Sequence, residues 1–434
     1  MKPLDLNWYQ RFLEVGGFSA NQYFVGDNDS MDVQKRDFLA GKTELPKLGR
    51  IDVDPDDFDI KRSILESMKH DLIEKEENSL VKDVYLRRLD EKLDELGVIE
   101  ASYRDDWDAF IGCSFRLFGK PSLDIFEDLL FALREKYTEK LLSCTDDCLQ
   151  SLLESWLVIL PKSNLEKRVF DLPNSNHFTE VDALTLPIYR HFLSDYSDDY
   201  HFEVEDVKLA FEDALKKFGL DGWRVDIEEI SRTAISVDHD FNRVRIPSTK
   251  AVSVRRMREL IVHEIGTHVV RRVQGERTKL KILGLGLDHY LVGEEGIATL
   301  REQVLSGEVP DYSGEIGFLS VGLALGFTGK SYNFRQLFEV LTCYYKIFKY
   351  RHGIDMNELI AKAKTLAWNR CVRTFRGVDC HVKGICYIKD IVYRVGNIAV
   401  WQEVMKNPKE VTRFNVGKYD PANEFHRYVL DQLS

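Results

Sequence analysis

Hydrophobic residues recur at helical spacing through most of the first half of the chain. From about residue 59, apolar positions three or four residues apart predict an all-helical region, which we assign to residues 51–200. Individual helices within it fit 104–118, 122–139 and 147–160. Residues 1–50 are more weakly patterned and hold several glycines and a proline. They are predicted to form a loop-rich N-terminal arm of unknown role.

The pattern changes near residue 203, and the third predicted unit covers residues 201–434. An amphipathic helix over 204–218 ends at Gly219, which is a common residue just after a helix. Three short β-type segments follow at 223–227, 233–237 and 243–246, with 237–242 as a hairpin connection. Ser253 can cap a further helix that we expect to end at Gly275. Residues 294–370 are predicted to be helical and to be followed by a mixed strand-and-loop tail to 400.

Composition narrows the class of protein. The 434 residues are 44% hydrophobic and 30% charged, as in ordinary globular proteins. A net charge of −12 argues against a general nucleic-acid binder. We see no apolar run long enough to span a membrane and no secretory signal. Seven scattered cysteines without a CxxC pair favour reduced thiols and a cytoplasmic location over a structural zinc site.

One segment departs from the acidic average. The segment from Arg243 to Lys281 contains eleven lysines and arginines but only three glutamates. The segment is either the solvated face of a helix or a positive field that attracts acidic peptides to a nearby site. The sequence leaves both interpretations open.

The most informative motif is HEIGTH, residues 263–268. In the zinc-protease motif HExxH, two histidines at i and i+4 share one helix face beside a glutamate base. Here His268 stands at i+5 from His263, which is roughly 140° around a regular α-helix. A π-bulge would return both rings to one side, and Gly266 tolerates such a distortion well. The irregular spacing is therefore either accidental or the sign of a bent helix around a metal ion. Strands and a hairpin precede the motif helix, which is the order expected of a zincin.

Catalytic zinc takes three protein ligands and keeps one open position. The best third ligand lies in EEGIA, residues 294–298, where a loop is predicted to run into a helix. Glu294 and Glu295 are both candidates there, and His289 is a weaker alternative. Without a metal, the two glutamates would simply form a solvated first turn of the helix.

These motifs resemble one known family. HEIGTH followed by EEGIA is similar to the HEIGTH and QEGLA motifs of the bacterial QEGLA-motif proteins, which resemble the animal microtubule-associated tyrosine carboxypeptidase. FGKP at 118–121, RTFRG at 373–377 and YIKDIVY at 387–393 also resemble family signatures. The chain departs from the pattern at Glu294, Ile297 and Ile388. The resemblance covers about residues 50–400.

The resemblance implies a zincin-like metallopeptidase fold and assigns site residues. It makes Glu295 the third ligand, beside His263 and His268, of one Zn²⁺ per chain. The fold class expected is α+β, mostly helical, with a small antiparallel sheet and an N-terminal helical region.

In the mechanism we expect, Glu264 is the general base that takes a proton from the metal-bound water. Tyr393 is a candidate to stabilise the oxyanion. Arg373, Arg376 and Lys389 are candidates to bind a C-terminal carboxylate. The plain alternatives are a structural ion pair for the two arginines and a surface turn for Lys389.

The predicted function is a zinc metallocarboxypeptidase that removes one C-terminal residue, with tyrosine or another aromatic as the family's preference. Its expected partner is a peptide or protein tail, with an acidic tail as one option, and neither nucleic acid nor membrane is expected. The alternatives are a zinc endopeptidase and a zinc-binding regulator without turnover. Because a purely structural site needs no general base, Glu264 weighs against the regulator. The oligomeric state and the natural substrate do not follow from the sequence.

Overall fold

The computed structural model describes residues 2–433 except Gly17, Val25 and the stretches 186–192, 194–195, 198–199, 230–234 and 249–250. The α-helices of the described part are α1 (Leu6–Glu14), α2 (Ala20–Tyr23), α3 (Asn28–Leu39), α4 (Asp56–Lys75), α5 (Ser79–Tyr103), α6 (Trp107–Phe118), α7 (Leu123–Leu142), α8 (Asp147–Ile159), α9 (Ser175–Thr185), α10 (Val204–Lys217), α11 (Val254–Leu260), α12 (Val270–Arg277), α13 (Ile282–Leu285), α14 (Tyr290–Ser306), α15 (Glu315–Leu325), α16 (Phe334–Lys349), α17 (Met356–Phe375), α18 (Ile391–Lys406) and α19 (Glu424–Asp431). A π-helix spans Ile261–Val269, and 3₁₀ helices span Ile388–Asp390 and Pro408–Arg413.

The strands are few and short. They are β1 (His201–Phe202), β2 (Arg224–Glu228), β3 (Ser236–Asp238), β4 (Arg243–Pro247) and β5 (Val252–Ser253). β1 pairs with β5 antiparallel, and a second sheet has the order β2-β4-β3. The expected α+β class with mostly helices is confirmed.

The three-stranded sheet is mixed, whereas the sequence predicted an antiparallel one. β3 and β4 form the expected antiparallel hairpin, but β2 runs parallel to β4. β2 and β4 are not consecutive strands, so no tight hairpin constrains them to run antiparallel. Residues 233–234 of the second predicted segment lie outside the described residues.

The helices agree with the hydrophobic pattern in most places. α6, α7, α8 and α10 fall where they were predicted, and Gly219 follows α10 with a positive φ of 61°. The strand-and-loop tail predicted up to residue 400 is present as loop at 376–387 but is wrong from residue 391 on, where the buried helix α18 begins. Its β-branched residues suggested strand, but they pack against neighbouring helices instead.

The first fifty residues hold helices rather than mainly loops. α1, α2 and α3 occupy much of this segment, and Trp8, Phe12 and Phe24 are buried in a core that they share with α4, α5 and α6. Asp5 accepts hydrogen bonds from the backbone of Lys281 and Ile282, at 2.8 and 2.9 Å. The segment is thus anchored near the end of α12. The predicted boundaries at residues 50 and 200 stay predictions.

Two packing contacts position the site. The sheet and α10 share a core with α11 and the π-helix, built around Phe211, Val244 and Ile265. On the opposite side, α14 crosses α18 so closely that a Cβ on Gly296 would lie 2.4 Å from the carbonyl oxygen of Gly396. No helix among the described residues is long and apolar enough to cross a membrane.

Candidate metal centre

The motif helix is distorted where the sequence predicted it. α11, the π-helix and α12 follow one another without a break, and the π-helix contains both histidines. Its widened turn is supported by side chains: the Thr267 hydroxyl donates to the carbonyl of Val262 at 3.0 Å, and Arg301 donates to the carbonyl of Gly266 at 2.8 Å. The predicted π-bulge is therefore confirmed.

The two imidazoles and one carboxylate converge. The ring centroids of His263 and His268 are 4.9 Å apart. The Nε2 atoms of the two rings lie 3.6 and 3.9 Å from the same atom, Oε2 of Glu295. Among the described residues, these three form the one group whose ligand atoms lie close enough to hold a metal ion, within 4.8 Å of one another.

Each histidine also has a carboxylate near its second ring nitrogen, and the contact has hydrogen-bond geometry for His268 but not for His263. Nδ1 of His263 lies 3.0 Å from Oε1 of Glu302, and Nδ1 of His268 lies 2.8 Å from Oε1 of Glu294. Metal-binding histidines usually direct their second nitrogen to such a partner, which fixes the ring and raises its basicity. The sequence analysis missed Glu302, although it stands two helical turns after Glu295 and so shares its face of α14.

Glu294 contacts the second ring nitrogen of His268 and does not belong to the three-residue group. It is 1% exposed and contacts three cationic or ring groups: His268, Arg271 and Lys418. Burial would raise the pKa of this carboxyl, but Arg271 and Lys418 outweigh it and hold the pKa well below its ordinary value. His289, the weaker candidate ligand, instead directs Nδ1 toward the carbonyl of Leu117 at 3.2 Å.

Glycines fix the position of Glu295. α14 begins at Tyr290, so both glutamates lie beyond the first turn and not at the helix start that the sequence suggested. A Cβ at Gly293 would lie 2.3 Å from the Cα of Asp420, and one at Gly296 would strike the backbone of α18. The spacing G-E-E-G thus lets two segments approach on either side of the ligand position.

The chemistry of the three groups suits zinc. Oε2 of Glu295 is buried and has no hydrogen-bond partner among the described residues. A buried carboxylate oxygen without a partner is costly and calls for a missing cation or water. Two imidazole nitrogens and one carboxylate oxygen are a common ligand set for catalytic zinc. The residues present therefore fit one Zn²⁺ ion.

Glu264 lies in the same charged cluster. Burial raises its pKa above the ordinary value, although the charges of His263 and His268 oppose the shift. For His263, burial alone would lower the pKa, but Glu295 and Glu302 outweigh it and raise the pKa. A carboxyl with a raised pKa can accept and return a proton near neutral pH.

The three cationic candidates downstream of the motif, Arg373, Arg376 and Lys389, differ in whether a carboxylate pairs with them. Arg373 donates to Asp390 at 2.6 Å, and Arg370 contacts the other oxygen of the same carboxylate. Asp390 raises the pKa of Arg373 above its ordinary value. A structural ion pair, the plain alternative for Arg373, is therefore present.

Arg376 and Lys389 differ from Arg373. In the part of the chain that the structure describes, neither cation has a carboxylate within ion-pair distance, and Nε of Arg376 is buried without a partner. Burial, with help from Arg376, lowers the pKa of Lys389 to about 8. Glu295 raises that pKa, so its charge reaches Lys389. Lys389, near Glu295, and Arg376, near Lys389, are thus two cations available for an anionic group.

Tyr393 faces the same cluster. The charge of Glu295, followed by burial, raises the pKa of Tyr393 well above its ordinary value. The phenol therefore keeps its proton at neutral pH and remains a hydrogen-bond donor.

The basic segment 243–281 is largely neutralised by neighbours. Carboxylates lie within ion-pair distance of six of its arginines: Arg243, Arg245, Arg255, Arg256, Arg271 and Arg272. Arg277 and Lys279 instead line a cavity of about 520 Å³ together with Arg413. A strong positive field over the whole segment is not favoured by this pairing.

Fold and site together define a mostly helical α+β protein with a two-histidine, one-carboxylate group that can hold a metal ion. Residues 187–311 match the family model described as microtubule-associated tyrosine carboxypeptidase. This match supports the resemblance inferred from the motifs and indicates a carboxypeptidase-like region in the chain. The matched residues include the β3–β4 hairpin, the π-helix and Glu295, but neither Lys389 nor Tyr393. Searches of curated proteins and of solved structures found no match.

Proposed function

We propose that the protein is a zincin-like metallocarboxypeptidase that holds one Zn²⁺ on His263, His268 and Glu295. The observation that carries the proposal is the convergence of both Nε2 atoms on Oε2 of Glu295, with a carboxylate behind each ring. When bound in such a site, zinc lowers the pKa of a water ligand to about 7 and polarises a carbonyl group. The match to the carboxypeptidase family supports the same assignment.

Proton transfer falls to Glu264. Its raised pKa suits a group that takes a proton from water and then returns it to the leaving amine. The protonated phenol of Tyr393 is a donor for the oxygen of the scissile carbonyl as negative charge develops there. Both roles can be tested by substituting Glu264 or Tyr393.

Recognition of a free C-terminus falls mainly to Arg376 and Lys389. They lack carboxylate partners among the described residues, so a substrate carboxylate would satisfy them. Arg373 is already paired with Asp390, and we propose that it orients the neighbouring groups while keeping some hydrogen-bonding capacity. The name of the matched family supports a C-terminal tyrosine or another aromatic residue as the one removed.

We propose a peptide or protein tail as the substrate class. The family resemblance alone supports an acidic tail. A cytoplasmic location belongs to the same proposal. Its support is that all seven cysteines are free thiols, as expected in a reducing compartment.

Peptides that differ only at the C-terminal residue test the function. Release of a single residue is expected, and the same peptides with a C-terminal amide should not be cleaved. Glu264→Gln should abolish release while zinc stays bound, whereas His263→Ala should lose both. Internal cleavage would instead favour the endopeptidase, and zinc binding without cleavage of any peptide would favour a regulator.

A further inference from the structure

A largely buried chain of polar groups connects the β3–β4 hairpin, where His239 is half-buried, to the site. His239 lies in the hairpin turn, and its Nε2 is 2.8 Å from Nζ of Lys418, a residue 179 positions later. Lys418 is only 2% exposed. Burying a lysine costs free energy unless its charge finds partners, so this contact requires an explanation.

Lys418 continues the chain to a proposed zinc ligand. Its Nζ lies 3.6 Å from Oε1 of Glu294, and the same oxygen is 2.8 Å from Nδ1 of His268. Arg271 contacts the other oxygen of Glu294 and donates to the carbonyls of Gly417 and Tyr419, both at 2.8 Å. The segment that carries Lys418 is therefore fixed to the motif helix.

The contact also sets the tautomer of His239. An ammonium group can only donate, so Nε2 must accept and the proton of the neutral ring resides on Nδ1. Burial, followed by the charge of Lys418, lowers the pKa of His239 and keeps the ring neutral. Nδ1 itself is buried and lacks a hydrogen-bond partner among the described residues.

We infer that His239 and Lys418 are positioning residues that couple the β3–β4 hairpin to the orientation of His268 through Glu294. The inference rests on the proposed metal site. His239 holds the ammonium group against Glu294, and Glu294 in turn holds the imidazole with Nε2 facing Glu295. The hairpin then responds to metal binding although it contributes no ligand.

The test compares zinc affinity, measured by competition with a fluorescent chelator, in the full chain and its variants. Loss of such an outer partner typically weakens metal binding about 10- to 100-fold, and we expect this for Lys418→Met and His239→Ala. His239→Gln should restore most of the affinity, because its amide oxygen can accept from Lys418. Lys281→Met, which removes a lysine bonded to the carbonyl of Glu276, and His426→Ala, which removes a buried histidine, are the controls.

Hydrogen exchange gives a second readout. Zinc should slow exchange of the hairpin amides in the wild type, and this protection should be lost in Lys418→Met. If the wild type binds zinc while Lys418→Met and His239→Ala bind it equally well, the inference is overturned, even if both variants melt earlier without metal. If the wild type binds no zinc, the proposed function fails first and the inference fails with it.

Discussion

The contact between α14 and α18 permits a sharp prediction from geometry. Gly296 faces Gly396, and a Cβ added at Gly296 would lie 2.4 Å from the carbonyl oxygen and 2.6 Å from the carbonyl carbon of Gly396. Ordinary contact begins at 3.4 Å, so Gly296→Ala must separate the two backbones by about 1 Å. Rotation of Val400, whose Cγ2 would lie 2.6 Å away, cannot relieve this clash, because the two carbonyl atoms of Gly396 are backbone.

The magnitude follows from two opposing terms. Alanine is favoured over glycine inside a helix by about 1 kcal/mol, whereas overpacking costs about 1–3 kcal/mol. We expect Gly296→Ala to lower the free energy of unfolding by about 1–2 kcal/mol, since a backbone clash lies near the upper end of that range. Glu295 is the adjacent residue and moves with the helix. A displacement of about 1 Å at a reacting centre can cost a hundredfold in rate.

The assay is chemical denaturation without metal, together with zinc affinity and peptide release. Gly112→Ala in α6 is the matched control, because its Cβ would meet only the end of Arg116 at 3.8 Å. That variant should be as stable as the wild type or up to about 1 kcal/mol more stable. If Gly296→Ala behaves like Gly112→Ala in stability, zinc affinity and rate, the reasoning about this helix contact is refuted.

Three further predictions concern the site and its support. The KM for peptides with a free C-terminus should rise as pH passes through about 8, where Lys389 loses its proton, and Lys389→Arg should move that rise to higher pH. A flat KM profile from pH 7 to 9.5 would contradict a role for Lys389 in binding the C-terminal carboxylate. Arg301→Met should lower the free energy of unfolding by about 2–4 kcal/mol in urea titrations, because it removes the buried hydrogen bonds that Arg301 donates to the Gly266 carbonyl and to the Asn415 amide oxygen. Chelation should lower the melting temperature, since an ion at a thousand times its Kd stabilises the fold by about 4 kcal/mol, and an unchanged melting curve would argue against a bound metal.

Local features of the sequence predicted the motif helix well. The spacing of His263 and His268 cannot aim two rings at one ion on a regular helix, so the distortion follows from the chemistry required. Glu302 could also have been found, because it repeats the face of Glu295 two turns later. The mixed strand-and-loop tail predicted up to residue 400 is wrong where α18 begins at Ile391, because packing against other helices outweighs the strand preference of β-branched residues.

Long-range partners had no signal in the sequence. The contact of His239 with Lys418 joins residues far apart in the chain, and neither lies in a motif. Similarly, nothing in the short β2 segment indicates that it pairs with β4 in parallel. The pairing of Arg373 with Asp390 was anticipated only in general terms, as one of two readings of the arginines.

The extra residue between the histidines has a consequence for protein engineering. Deleting Gly266 would leave HEITH, the common short spacing. Because the π-helical turn already absorbs the extra residue, the helix can close to regular α-geometry with the downstream residues near their present register. The guanidinium of Arg271 would then stay near the carbonyls of Gly417 and Tyr419 that anchor it. The short form of the motif is therefore expected to fit the same surroundings, and the extra residue is an insertion that the helix accommodates locally.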